Sequence, residues 1–163
     1  MAQTGKGKVH ARAYALEGGA EPEPNDVVES DICIDNETGK ALFDPGATHS
    51  FIYVEFANKL FLTAEILPYT FEVSSPMGMT TTTDLIHRNC NVNFEGQIYP
   101  ANLIELPIQR YDVILGMDWL YLNHAQMDCY AKKVKLGKIS HINPKQISKN
   151  PQNHSIYDLG YRS

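Results

Sequence analysis

An acid set on a glycine turn at the end of an apolar strand constrains this chain more than any other feature. The sequence reads Ala41-Leu42-Phe43-Asp44-Pro45-Gly46-Ala47-Thr48. The apolar run predicts a strand, and Asp-x-Gly reverses it. Gly46 lets the turn close and lets a backbone N–H point at the acid. Far downstream, Tyr111-Asp112-Val113-Ile114-Leu115-Gly116 is a near-continuous apolar run. Such a run predicts a strand buried on both faces. The tripeptide alone also fits an ordinary hairpin turn, so its surroundings decide.

Those surroundings are rich in strands. Val28 to Ile34 alternates loosely, Asn36-Glu37-Thr38-Gly39 reads as a turn, and Lys40 to Phe43 returns. Ser50 is a candidate N-cap for a short helix from Tyr53 to Leu60, with Phe56 and Leu60 on one face. Tyr69, Phe71 and Val73 alternate with polar residues, and Ser74 to Met79 is a turn. Thr80 to Ile86 is β-branched, Cys90, Val92 and Phe94 alternate again, and Glu95-Gly96 turns into Ile98 to Leu106. Met117 to Leu122 predicts a second short helix. Ala125 to Tyr130 and Lys133 to Leu136 predict a last hairpin through Ala131-Lys132. Strands dominate, so the expected class is all-β with one or two short helices.

The ends differ from this middle. Residues 1–26 are dense in Gly, Pro and Glu, which predicts a flexible linker, with Val9 to Leu16 as an alternative docking strand. Residues 27–139 form the expected domain, and the polar residues 140–163 an expected disordered tail.

Composition excludes several classes. A net charge of -5 argues against a nucleic-acid arm or an anionic membrane surface. Cys33, Cys90 and Cys129 are odd in number and widely spaced, which predicts buried free thiols in a reducing, intracellular and cytoplasmic setting. No Cys-x-x-Cys pair or His ligand spacing suggests a metal, and no cofactor is expected. No secretory leader and no membrane-length apolar run is visible. Trp119 is expected to anchor the core and His49 to face solvent.

The turn, its flanks Leu42-Phe43 and Ala47-Thr48-His49-Ser50-Phe51-Ile52, and the later Asp112-Val113-Ile114-Leu115-Gly116-Met117-Asp118-Trp119-Leu120 agree in order and spacing with one family. The chain resembles the retropepsin-like aspartic proteases, most closely those of Ty3/gypsy-type LTR retrotransposon polyproteins, over roughly residues 27–138. The resemblance implies a closed β-barrel with one lobe per chain. It implies Asp44 as catalytic acid on the turn Pro45, Gly46 and Ala47, and a flap at Met77, Gly78 and Met79. Ile114, Leu115 and Gly116 would be the partner strand. One Asp turn per chain implies a homodimer acting on a polypeptide, the two carboxyls sharing a proton.

Pro45 departs from the family, which carries Ser or Thr there. The usual hydroxyl ties the two active-site turns together across the dimer, and proline offers neither hydroxyl nor N–H. Three readings follow: a polyprotein-processing endopeptidase, a non-catalytic dimerisation or peptide-binding module, and a decayed fragment of a mobile element. Other acids are weaker candidates. Asp112 precedes a buried strand, Asp118 is expected to cap the second helix, and Asp158-Leu159-Gly160 lies in the polar tail.

Overall fold

A computed structural model describes residues 6–13, 27–107 and 110–137. In chain order the elements are β1 (Gly7–Arg12), β2 (Val28–Ile34), β3 (Glu37–Phe43), β4 (Phe51–Tyr53), α1 (Val54–Lys59), β5 (Glu65–Ser74) and β6 (Thr80–Phe94). They continue as β7 (Gln97–Leu106), β8 (Val113–Leu115), α2 (Met117–Leu122), β9 (Gln126–Asp128) and β10 (Lys133–Lys135). The fold is mostly β with two short helices, as its alternating sequence predicts.

Six strands close on themselves in the order β6-β2-β3-β8-β4-β7, with β7 pairing back to β6. Closure removes the edges that an open sheet would leave unpaired. β5 extends β6 outward, and β1 lies parallel to β5. β9 and β10 form a separate antiparallel hairpin. Beside the acid turn, β3 runs parallel to β8, with Leu42 opposite Ile114 and Phe43 opposite Leu115.

Both strands at that seam are buried on both faces, as their apolar runs require. Phe43, Val113 and Leu115 enter one core with Trp119, while Leu42 and Ile114 enter the other with Phe51, Phe71 and Val73. Trp119 anchors the first core. Its ring lies 5.9 Å from both Phe43 and Tyr99, and its Nε1–H donates to Tyr99 O. An indole buried with a partner for its N–H keeps the apolar gain without a desolvation loss.

Local expectations needed correcting where tertiary contacts govern. The β2–β3 turn is tighter than the four residues predicted. Asp35 and Asn36 carry it at φ 48 and 69, and Thr38 and Gly39 already belong to β3. Asx residues tolerate this left-handed backbone best after glycine. Ser50 does not cap α1, whose N-cap is Tyr53 with no side-chain bond. Thr80–Phe94 is one strand, with a register irregularity between His87 and Cys90. Cys90 is buried, but Cys33 and Cys129 are half-buried free thiols. Gly7–Arg12 is a strand inside the expected linker, so this part of residues 1–26 belongs to the sheet. Residues 14–26, the tail from 138 and the Asp158 turn lie outside the described residues.

Candidate active site

The acid turn is built almost entirely from main-chain bonds. At the end of β3, Asp44 N–H donates to Leu115 O at 2.9 Å, and Ala47 N–H donates to Asp44 O at 3.1 Å. Gly46 N–H then donates to Asp44 Oδ1 at 2.8 Å. Asp44 is 1% exposed. A Cβ on residue 46 would lie 3.1 Å from the same carboxylate oxygen, so glycine preserves this approach. The turn therefore holds a buried carboxyl whose orientation is set by backbone, a preorganised acid.

β8 supplies the other wall. A Cβ on Gly116 would lie 2.1 Å from His49 O and 2.8 Å from Ala47 O. No side chain fits between two backbones that close. Met117 N–H donates to Ala47 O at 2.8 Å, which fastens the start of α2 to the acid turn. Leu115 and Gly116 thus lie directly beside Asp44 and Ala47, with Ile114 one step back, opposite Leu42. Asp112 serves the same seam, since Lys40 N–H donates to its Oδ2 at 2.8 Å.

Behind this contact sits a polar cluster that local sequence reading missed. Ser50, 1% exposed, accepts the Gly116 N–H at 3.0 Å and donates to Asp118 Oδ1 at 2.6 Å. The same Oδ1 accepts Trp119 N–H at 2.7 Å. Gly116, not Asp118, is the N-cap of α2, so Asp118 acts within the first turn and toward Ser50. Burial pushes the Asp118 carboxyl up to about 6, against the opposing pull of these hydrogen bonds. Ser50 and Asp118 lie far apart in sequence, and no local pattern pairs them.

His49 is half-buried rather than solvent-facing. Its ring packs edge-on against Phe71 at 5.1 Å, and its Nδ1 lies 2.8 Å from Thr48 Oγ1. Burial lowers its pKa to about 4, so it is neutral at physiological pH.

The expected flap is the β5–β6 connection. Gly78 has φ +90, a conformation side chains resist, and its N–H donates to Ser75 O at 3.1 Å. Met77 and Met79 are exposed. Pro45 faces a different surface. It lines an apolar hollow of about 360 Å³ with Met117, Leu120, Tyr121, His124, Ala125 and Met127. Among the described residues no group of His, Cys, Asp and Glu side chains could hold a metal ion. No helix among them is long and apolar enough to cross a membrane.

The sequence matches the model of the retroviral aspartyl protease family over residues 8–141. The chain belongs to that family. The retroviral protease-like domain of Ddi1 from Leishmania major shares the fold, with a TM-score of 0.53 at 18% identity over 68% of this chain and 84% of that one. The simian foamy virus protease is also similar, with a TM-score of 0.39 at 18% identity over 56% of this chain and 90% of that one. No curated protein matches the chain. In this family member Asp44 stands at the end of an apolar strand, on a glycine turn, beside β8 and the Gly116 that follows it.

Proposed function

We propose that this protein is a retrotransposon-type aspartic endopeptidase that acts as a homodimer on extended polypeptide. One observation carries the reading: a single buried carboxyl, Asp44, is oriented by the Gly46 N–H at the rim of a retropepsin-like barrel. Peptide hydrolysis by carboxyls needs one to accept a proton from water and one to polarise the scissile carbonyl. Each chain contributes one credible Asp turn among its described residues, so the second comes from another copy across a two-fold axis. Two carboxyls at close range share one proton, which places the activity at acidic to mildly acidic pH. Met77, Gly78 and Met79 then close over the bound peptide as a flap.

Pro45 supports a second reading, a retropepsin-fold dimerisation or peptide-binding module with impaired catalysis. It presents no hydroxyl to a neighbouring turn and instead lines an apolar hollow. Cleavage of a mixed peptide library at acidic pH, wild type beside Asp44→Ala, separates the two. Cleavage lost in the variant and indifferent to chelator supports the peptidase. Cleavage that survives Asp44→Asn, or that chelator abolishes, overturns it. A strictly monomeric species at high protein concentration in sedimentation would count against both the dimer and the protease.

A further inference from the structure

The first strand runs between the root of the Met77-Gly78-Met79 hairpin and the chain that leaves the Asp44 turn. β1 runs parallel to β5, with Val9 opposite Phe71, Ala11 opposite Val73 and Arg12 opposite Ser74. Its far end is bonded on both sides. On one side Ala13 N–H donates to Ser74 O at 3.0 Å, at the root of the Met77-Gly78-Met79 hairpin. On the other, Thr48 N–H donates to Arg12 O at 3.2 Å, and Arg12 N–H donates to Thr48 Oγ1 at 3.0 Å. Thr48 belongs to the chain leaving the Asp44 turn. The segment is therefore held extended, by its main chain, between the hairpin root and the acid turn.

Its side chains alternate as a strand in a groove must. Ala11 and Ala13 point inward, 2% and 1% exposed, into the cluster that holds Ala47, Phe51, Val73 and Ile114. Lys8 and His10 point outward and face Glu72 at 3.2 and 3.7 Å, while Lys6 Nζ meets Asp84 Oδ2 at 2.5 Å. Main-chain bonds with alternate small pockets are the physics of strand addition. The anchoring is light. Two methyl groups are buried, Val9 stays 36% exposed, and the ion pairs are at the surface, where such pairs contribute little. No large apolar side chain locks β1 into the core.

We propose that Gly7–Ala13 is a tethered pseudosubstrate, seated in the peptide groove of the Asp44 site and competing there with other peptides. The proposal rests on the peptidase reading above and deepens it. It names the ligand class as an extended peptide with small residues at two alternate inward positions and basic residues on the outward side, toward Glu72. The near-complete burial of Asp44 fits a groove that is filled.

The test is made on the full chain carrying Ala11→Glu, which forces a carboxylate into an apolar pocket and expels β1. The probe is a fluorescent, end-capped peptide of sequence Gly-Lys-Val-His-Ala-Arg-Ala, read by anisotropy. The variant should bind it at least about tenfold more tightly than wild type, because a groove occupied in most molecules lowers apparent affinity by the vacant fraction. Val9→Glu, at an exposed position, should leave binding within about twofold of wild type. The readout needs no cleavage. Binding of this probe therefore tests the groove assignment alone, while cleavage of the peptide library tests the peptidase reading, so the two can fail separately. A folded Ala11→Glu that does not bind the peptide overturns the proposal. If Ala11→Glu fails to fold, hydrogen exchange on wild type decides. The Ala13 amide should exchange at least about tenfold faster than the Asp44 amide, and excess peptide should speed it further. Exchange of both amides only in global unfolding would make β1 a fixed core strand and overturn the proposal.

Discussion

Removing the charge of Asp118 should stabilise this domain at neutral pH and do nothing in acid. Its carboxyl rises from the usual 3.8 to about 6 because burial disfavours the charged form, and no neighbouring charge is among the causes. Each pKa unit corresponds to about 1.36 kcal/mol, so the native state bears up to about 3 kcal/mol for keeping Asp118 ionised at pH 8. An acid whose folded pKa is raised contributes its stability in full below 3.8 and loses it as pH climbs through about 6. Asp118→Asn keeps a carbonyl oxygen for the Ser50 hydroxyl and the Trp119 N–H while removing the charge. Urea unfolding at pH 8 should show a gain of about 1–3 kcal/mol, reduced by any unmet amide donor. At pH 4 the gain should vanish. A variant equally destabilised at both values would mean that the buried charge is not the dominant cost, and the reasoning fails. His49 has the opposite linkage. Its pKa falls from 6.5 to about 4, so its stability is intact above 6.5 and declines as pH drops toward 4, again by about 3 kcal/mol. The two slopes nearly cancel, and wild type should look almost flat between pH 4 and 7 while each single variant tilts.

Other expectations follow from the same contacts. His49→Gln should leave the Asp118 slope uncompensated, so the variant gains relative to wild type at pH 4 but not at pH 7, measured by the same unfolding series. Gly116→Ala should cost at least about 2 kcal/mol, because its Cβ meets the His49 carbonyl oxygen at 2.1 Å, and a fully stable variant would refute the clamp. Pro45→Ser should raise dimer affinity more than about tenfold if each hydroxyl regains a bond of about 1–3 kcal/mol. Its turnover should rise with assembly. Unchanged sedimentation and cleavage would clear the proline of blame.

The parts legible in sequence were those decided by neighbours along the chain. The Asp44 turn, the doubly buried β8 run and α2 at Met117–Leu122 all follow from local pattern, and the structure places them as read. Ser50 was misread because a serine ahead of a short helix looks like a cap, whereas its partners, Gly116 and Asp118, arrive from the far end of the chain. His49 looked polar and therefore exposed, yet Phe71 from β5 covers it. β1 was legible only as an alternative, a docking strand from Val9 within a stretch whose composition reads as linker. Its neighbours are Gly- and Pro-rich, and its burial rests on two alanines that periodicity barely registers. Asp35-Asn36 was placed one step late because left-handed backbone, rather than glycine alone, carries that turn.

The bonds that shape the acid turn run from Asp44 N–H to Leu115 O, from Ala47 N–H to Asp44 O, and from Met117 N–H to Ala47 O. Each joins peptide groups, which every residue but proline supplies alike. A lineage carrying this turn can therefore exchange most surrounding side chains for others of similar bulk and still inherit the same acid geometry. What it cannot exchange is emptiness. The missing Cβ of Gly116 is a heritable absence, and the first methyl placed there parts the helix start from the acid turn. Drift is thus permitted in what the site displays and forbidden in what it omits.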